Sequence, residues 1–349
     1  MDLAAFQRKV TRPNGQQHDV LVIGAGMAGA SAARALLDQG HRVQLLDKAR
    51  GAGGRMSTRR FDGLQFDHGA QYFTARDARF RRWIAAWQAR GLLTEWQPRL
   101  VSIDVDGITE KPEPLPRFVA TPGQNALVKH VLSDLPVRFD MQVSRIARES
   151  GVWRVFDAAD ALLAQAEQLL LCLPAPQAAT LLSEFPAALN YARAANMLPC
   201  WAMMVAFQPA LPLPFDAAFV NTGALSWIAR DSSKPGRSCA MDCWVLHANA
   251  AWSELHMDDS AEQICNALVA EFARITGAEI VPVHLSAHRW RYALGKLDGD
   301  IDGHFYDADL QLGIAGDWCA GGRVEGAFLS GQALAGALMR ANSGSAVVE

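Results

Sequence analysis

Three groups of residues have types and spacing suited to chemistry. The first is Gly24, Ala25, Gly26, Met27, Ala28, Gly29, which directly follows the apolar run DVLVI, Asp19 to Ile23. In such a turn the first glycine permits the bend, the second lets a pyrophosphate reach the backbone, and the third lets the next helix pack on its strand. The second is Asp47, eighteen residues beyond Gly29 at the end of HRVQLLD, where a carboxylate can accept from a ribose hydroxyl. Beside it stands Lys48. The third is DKARGAGGRMSTRR, Asp47 to Arg60. Its glycines, Gly54 among them, bring backbone close to a bound molecule, and Arg55 offers a planar donor fork to a phosphate. Arg59 and Arg60 are expected on the solvated surface, because long charged side chains are rarely buried.

These residues act together only if a βαβ unit positions them. The spacing predicts a strand to Ile23, a helix over Met27 to Gln39 with small Ala30, Ala32 and Ala33 against the strand, a stop at Gly40, and a second strand ending on Asp47. The unpaired amides at the start of that helix face the pyrophosphate. Near the other end, LQLGIAGDWCAGGRVEGAFLSGQALAGAL predicts a strand over Leu310 to Ala315, then Asp317 and a glycine loop, then a helix from about Val324 to Met339. Gly326, Gly331 and Gly336 are close-packing positions on it. In between, PVRFDMQVSRIARESGVWRVFD reads as two alternating strands about a Ser150, Gly151 turn, and QLLLCLPAP as a buried strand. WAMMVAF, CAMDCWVLHA and LSAHRWRYA read as further strands, with a helix near Ser260 to Thr276.

With 349 residues, half of them hydrophobic, the chain can bury two domains. A net charge of -3 with dispersed arginines argues against a nucleic-acid surface and for a small-molecule partner. The six cysteines show neither metal-ligand pairs nor a disulfide framework, so they are expected as reduced, mostly buried thiols, and no metal is expected. Cys239 and Cys243, four apart on a strand, would stand about 13 Å apart, too far for a bridge. No signal-peptide core and no membrane-spanning apolar run is present, so the expected location is the cytoplasm, with residues 1–18 as a flexible tail.

The glycine turn, the strand-end acid and the Gly53, Gly54, Arg55 segment resemble the flavin-binding amine oxidase superfamily of the glutathione reductase type. The resemblance implies an α/β fold: a Rossmann-like FAD-binding domain (19–75, 121–189 and 301–341) with an inserted α+β substrate domain (76–120 and 190–300). It places Val143 beside the adenine through its backbone, Asp317 at the ribityl or phosphate region, and the helix start at Val324 and Glu325 toward the flavin pyrimidine, where charge accumulates on reduction. An amine oxidase of this type commonly carries a flavin-side lysine near the start of the first long substrate-domain strand. Here that strand reads PCWAMMVAF, and no lysine lies between Lys129 and Lys234.

A narrower likeness runs from about Asp19 to Leu338. GGRMSTRR, DHGAQYFTARD, WIARDSSKP, WVLHANAAWS, AHRWRYA and GDWCAGGRVEGAFLSG are similar to the bacterial renalases. That resemblance implies noncovalent FAD, oxidation of 2- and 6-dihydro isomers of NAD(P) to NAD(P)+, and O2 reduced to H2O2. It implies FAD contacts from Ala28, through its backbone, and from Arg55, Gln71 and Tyr72. A carbon-nitrogen oxidase and a noncatalytic flavin sensor are the alternatives. Hydride transfer needs a ring held on the flavin at contact distance rather than a dedicated acid or base, so no triad is expected. For holding the substrate the candidates are His247, His288, Trp290 and Tyr292. Strand alternation puts the last three on one face, with Arg289 and Arg291 on the other. Cys319, beside Trp318, is expected as a buried, inert thiol.

Overall fold

Apolar, β-branched residues build β1 (His18–Ile23) at the heart of a parallel sheet, and the glycine turn releases the chain into α1 (Met27–Asp38). A computed structural model describes residues 18–111, 115–237, 241–297 and 302–345. The expected tail, apart from His18, and Cys239 lie outside the described residues. Gly40, at φ +88°, ends α1 in the left-handed conformation that glycine adopts without a Cβ clash. The chain returns as β2 (Val43–Leu46), parallel to β1 with Ile23 opposite Leu46, so Asp47 emerges beside the glycine turn.

A hairpin of β3 (Thr58–Phe61) and β4 (Leu64–Asp67) leads to α2 (Ala78–Ala89), β5 (Leu93–Trp96), β6 (Leu100–Asp104), β7 (Gly107–Glu110) and β8 (Arg117–Ala120). Then come α3 (Asn125–Val131), β9 (Val137–Arg138), β10 (Arg145–Glu149), β11 (Val152–Phe156) and β12 (Leu162–Leu171). The β10–β11 turn is Ser150 and Gly151, both at positive φ, the geometry that matches the twist of a two-residue hairpin. After α4 (Ala175–Leu181) and α5 (Pro186–Arg193) follow β13 (Asn196–Phe207), β14 (Ala217–Val220), β15 (Leu225–Arg230) and β16 (Asp242–Ala248). The chain closes with α6 (Ala250–Leu255), α7 (Ala261–Thr276), β17 (Pro282–Lys296), β18 (Phe305–Asp307), β19 (Leu312–Ile314) and α8 (Arg323–Ser345).

The first sheet runs β10-β11-β12-β1-β2-β9, and β19 joins β12 in parallel, returning the C-terminal segment to the N-terminal unit. The sheet is mixed, with β10–β11 and β11–β12 antiparallel, and both faces of its parallel centre are covered. Val20, Val22 and Leu45 pack under α1 and α8, while Leu21, Ile23, Leu169 and Leu171 pack with residues of α4 and α5. Gly331 lets α8 cross α1: a Cβ there would stand 2.2 Å from the Ala28 carbonyl oxygen.

The second sheet runs β17-β13-β16-β15-β14-β6-β7. Alternation along β13 divides its residues between two cores. Trp201, Met203, Val205 and Phe207 pack toward α7, whereas Met204 and Ala206 pack on Leu64 and Phe66 of β4. A reciprocal Ser260–Gln263 capping box starts α7, and Gly277 at φ +66° ends it. Within residues 76–120, expected in the inserted domain, α2 packs with the helices of the first sheet. Phe80, Ile84 and Trp87 belong to the core of α1 and α8, and Phe80 lies 5.4 Å from Phe328 ring to ring. The reason is an aromatic stripe on α2 that finds its match on α8.

Candidate active site

The glycine turn forms the first half of the site. A Cβ on Gly29 would stand 1.9 Å from the Gly24 carbonyl oxygen, and one on Gly24 2.3 Å from that of Cys172, so both positions are dictated by packing. Gly26 differs, because nothing lies within 4 Å of where its Cβ would point. Gly26 is also the N-cap of α1, with no side-chain cap and no acid in the first turn. The helix therefore offers uncapped amides and a positive dipole end across open space, which fits a pyrophosphate. Ala28 is buried in that first turn, so only its backbone is available to a ligand.

Asp47 sits where the sequence puts it, and it is already engaged. Its Oδ2 accepts from the Ala25 N–H at 2.6 Å and its Oδ1 from the Ala49 N–H at 2.7 Å. Each oxygen keeps a lone pair for a ribose hydroxyl. Lys48 is exposed next to it. Val143 is half-buried close by, two residues beyond Met141, whose N–H donates to the Asp47 carbonyl at 2.9 Å.

Several expected roles change in the folded chain. Arg55 does not hold its fork out to a phosphate: it donates bidentately to Asp317, at 2.9 and 2.5 Å, and to the Ala293 carbonyl at 3.2 Å. Asp317 accepts one of these bonds on each oxygen and keeps a lone pair on each. A half-buried guanidinium beside a nearly buried carboxylate satisfies both at once. Glu325 turns away from the helix start as well, because its Oε1 accepts the N–H groups of Arg76 and Asp77, both at 2.7 Å. The Val324 side chain is buried in the α1–α8 core, so only its backbone is available to a ligand. Arg59, expected on the surface, is half-buried, and its charge reaches His68 and His288.

Across the second sheet one row of residues lies on the face that packs against the β3–β4 hairpin. His288 of β17 stands opposite Ala202 of β13, Ala202 opposite His247 of β16, and His247 opposite Trp227 of β15. Directly paired residues share a face, and small Ala202 leaves a gap between the two imidazoles. The loop after β4 enters that face. Its His68 ring stacks on Trp290 at 5.1 Å and meets His288 edge-on at 4.9 Å. The His68 carbonyl faces His247 Nε2 at 3.2 Å and accepts from Trp290 Nε1 at 3.0 Å. Gln71 is buried, with its side-chain nitrogen 3.3 Å from His247 Nε2. Gly69 is required between them, because a Cβ there would fall 2.0 Å from the Arg55 carbonyl oxygen.

Arg289 points to the opposite face, over Trp201 at 5.6 Å, as alternation demands. Tyr292 departs from the alternation, since the β13–β17 register shifts between Cys200–Trp290 and Leu198–Leu294, a span that contains it. Tyr72 lies behind the histidines, against Trp227 at 5.2 Å and under the Arg117 guanidinium at 4.7 Å.

His68 was missed in the sequence, although its place at a strand end before a glycine was a usable signal. Also missed was the purpose of WIARDSSKP. Asp231 and Lys234 join Asp67 and Arg237 in a buried ion cluster directly behind His68.

Burial removes charge from the site. It pushes the imidazole of His68 down to about 3, with the His288 and Arg59 charges adding to the effect, that of His247 to about 4, and that of His288 to about 4, where Arg59 contributes again. At neutral pH all three rings are uncharged. His68 Nδ1, Gln71 Oε1 and Trp227 Nε1 are buried without a hydrogen-bond partner in the protein. Burial likewise raises the Cys172 and Cys200 thiols to about 12 and Cys319 further, so none of the three is a nucleophile. Among the described residues no cluster suits a metal ion, and no helix is long and apolar enough to cross a membrane.

An uncapped helix start after a glycine turn at the carboxyl end of parallel strands is suited to a dinucleotide cofactor, and a second sheet carries a row of neutral rings. The chain belongs to the flavin-containing amine oxidoreductase family, whose family model matches residues 91–339; an NAD(P)-binding Rossmann-like domain matches residues 22–87. It has the FAD-binding amine oxidase fold, with FAD as its cofactor. Cyclohexylamine oxidase from Brevibacterium oxydans has the same fold, with a TM-score of 0.74 at 13% identity over 94% of this chain and 100% of that one. Carotenoid 3,4-desaturase of Haloarcula japonica is 43% identical over 67 residues, and nicotine dehydrogenase of Pseudomonas putida 38% identical over 76. These stretches cover 19% and 21% of this chain and only 13% and 16% of the relatives' own lengths.

Proposed function

We propose that the protein oxidises isomeric dihydronicotinamide dinucleotides, the 2- and 6-dihydro forms of NAD(P), to NAD(P)+ in the manner of the renalases, with O2 as the final acceptor and H2O2 as its product. FAD, when bound, supplies a two-electron acceptor that takes the hydride. The observation that carries the reading is the neutrality of the ring-lined face: His68, His247 and His288 are uncharged at pH 7, and the carboxylates nearby are already paired with cations. Among the described residues an ammonium substrate would find no free counter-charge there, whereas a flat, uncharged ring bearing an amide would find planar walls. The unpartnered Gln71 Oε1 and Trp227 Nε1 offer an acceptor and a donor to such an amide. His68, His288 and Trp290 restrict a ring to few orientations, and orientation is what hydride transfer demands.

Mixing the FAD-loaded protein anaerobically with 2- and 6-dihydro-NAD(P) should bleach the flavin within seconds. No bleaching by any of these isomers would remove the proposal. Family membership favours a second reading, oxidation of a carbon-nitrogen bond in an amine. An amine panel in the same assay separates the two: reduction by an amine alone selects the second.

A further inference from the structure

We propose that Arg237, acting through Asp67, is a positioning residue for the ring-lined site. The proposal rests on the reading of that face as the substrate pocket. Asp67 is wholly buried at the end of β4, and each of its polar groups is held. Oδ1 accepts from Thr58 Oγ1 at 2.7 Å and from the Gln124 N–H at 3.0 Å. Oδ2 accepts from the Arg237 fork at 2.5 and 3.2 Å, with Lys234 Nζ at 3.5 Å. The Asp67 N–H points to Asp231 Oδ1 at 3.4 Å, and Lys234 closes the cluster onto Asp231 at 2.5 Å. Arg237 is itself fixed, donating to the carbonyls of Ala120 at 2.8 Å and Pro235 at 3.1 Å.

One residue further on is the His68 carbonyl, the common partner of His247 Nε2 and Trp290 Nε1. With both the side chain and the amide of Asp67 anchored, the following carbonyl has a single direction, and two rings from two different strands are aimed by it. A packed apolar cluster would stabilise this spot as well or better, since desolvating ions offsets most of their attraction. What ions and forks add is direction. The segment Asp231–Arg237 also follows β15, the strand paired with β16 that carries His247, so the clamp ties the β3–β4 hairpin to the sheet it faces.

The test uses the FAD-loaded full chain and Arg237→Lys, which keeps the charge and loses the fork, with Thr58→Val as a milder, uncharged loosening of the same carboxylate. The first readout is the Trp290 indole N–H resonance, assigned by its disappearance in Trp290→Phe; the second is kcat against KM for the dihydronicotinamide that reduces the flavin. We expect the indole proton to shift and lose exchange protection in both variants, and kcat to fall by about 100-fold in Arg237→Lys with a smaller change in KM, the scale of a 1 Å misplacement. An unmoved indole resonance with kcat unchanged in a folded variant overturns the proposal, and Thr58→Val decides it if Arg237→Lys does not fold. Because the indole readout needs no substrate, it still tests the clamp if the proposed reaction fails.

Discussion

Two glycines three residues apart should respond in opposite ways to the same added methyl group. At Gly29 a Cβ would sit 1.9 Å from the Gly24 carbonyl oxygen, a backbone atom that cannot swing aside. Gly29→Ala should therefore force β1 and α1 apart, at the ~1–3 kcal/mol or more of an overpacked core. With a shift of about 2–4 °C per kcal/mol for a large domain, apoprotein melting should fall by roughly 5–10 °C. At Gly26 nothing stands within 4 Å, and φ is -80°, which alanine adopts freely. Gly26→Ala should move the apoprotein's melting temperature by no more than about 4 °C, since substitution at a conformationally compatible site is worth under ~1 kcal/mol. Its methyl group would occupy the space over the helix amides. Losing one charge-assisted hydrogen bond costs about 1.5–3 kcal/mol, so FAD affinity should fall by about 10- to 100-fold. Thermal melting of the apoprotein and fluorescence titration with FAD measure both quantities. Wild-type FAD affinity in Gly26→Ala would refute the placement of the pyrophosphate at this turn.

The buried histidines set an acid limit. Their folded values, about 3 for His68 and about 4 for His247 and His288, lie below the ordinary 6.5, so between pH 6.5 and 4 the unfolded chain binds protons that the folded chain refuses. Their contribution is complete above pH 6.5 and is lost as pH falls toward 4, by at most ~1.4 kcal/mol per pH unit for each ring. Melting temperature from pH 7.5 to 4.5 should show the decline, and a flat profile below 6.5 would contradict the burial. Glu325→Gln should cost about 1–2 kcal/mol by weakening two charge-assisted bonds to the start of α2, read as a lower denaturant midpoint with an unchanged slope. Cys172, Cys200 and Cys319 should resist iodoacetamide at pH 8 in the native protein and react after unfolding, as peptide mass spectrometry would register.

The local devices were legible because each is written in neighbouring residues. Strand, glycine turn, helix and Asp47 follow one another in a fixed order, and the helix near Ser260 to Thr276 and the Ser150–Gly151 turn are equally local. Alternation likewise separated His288 and Trp290 from Arg289, since pleating alone decides that. It stopped being a guide at Tyr292, where the ladder shifts register. The partners of charged groups were not legible. Arg55 and Asp317 are 262 positions apart, Asp67 and Arg237 are 170, and Glu325 reaches back 249 to Arg76.

What the chain alone determined is therefore its dinucleotide turn, its α/β class and the candidates for a ring-holding strand face. Tertiary structure decided which charges are spent on each other, that Arg59 is half-buried over Phe61, and that His68 is the hub where His247 and Trp290 meet. The reason is physical. Backbone preference and periodicity act within a few residues, but a buried charge takes whatever partner folding brings within about 3 Å, and nothing in local sequence names that partner.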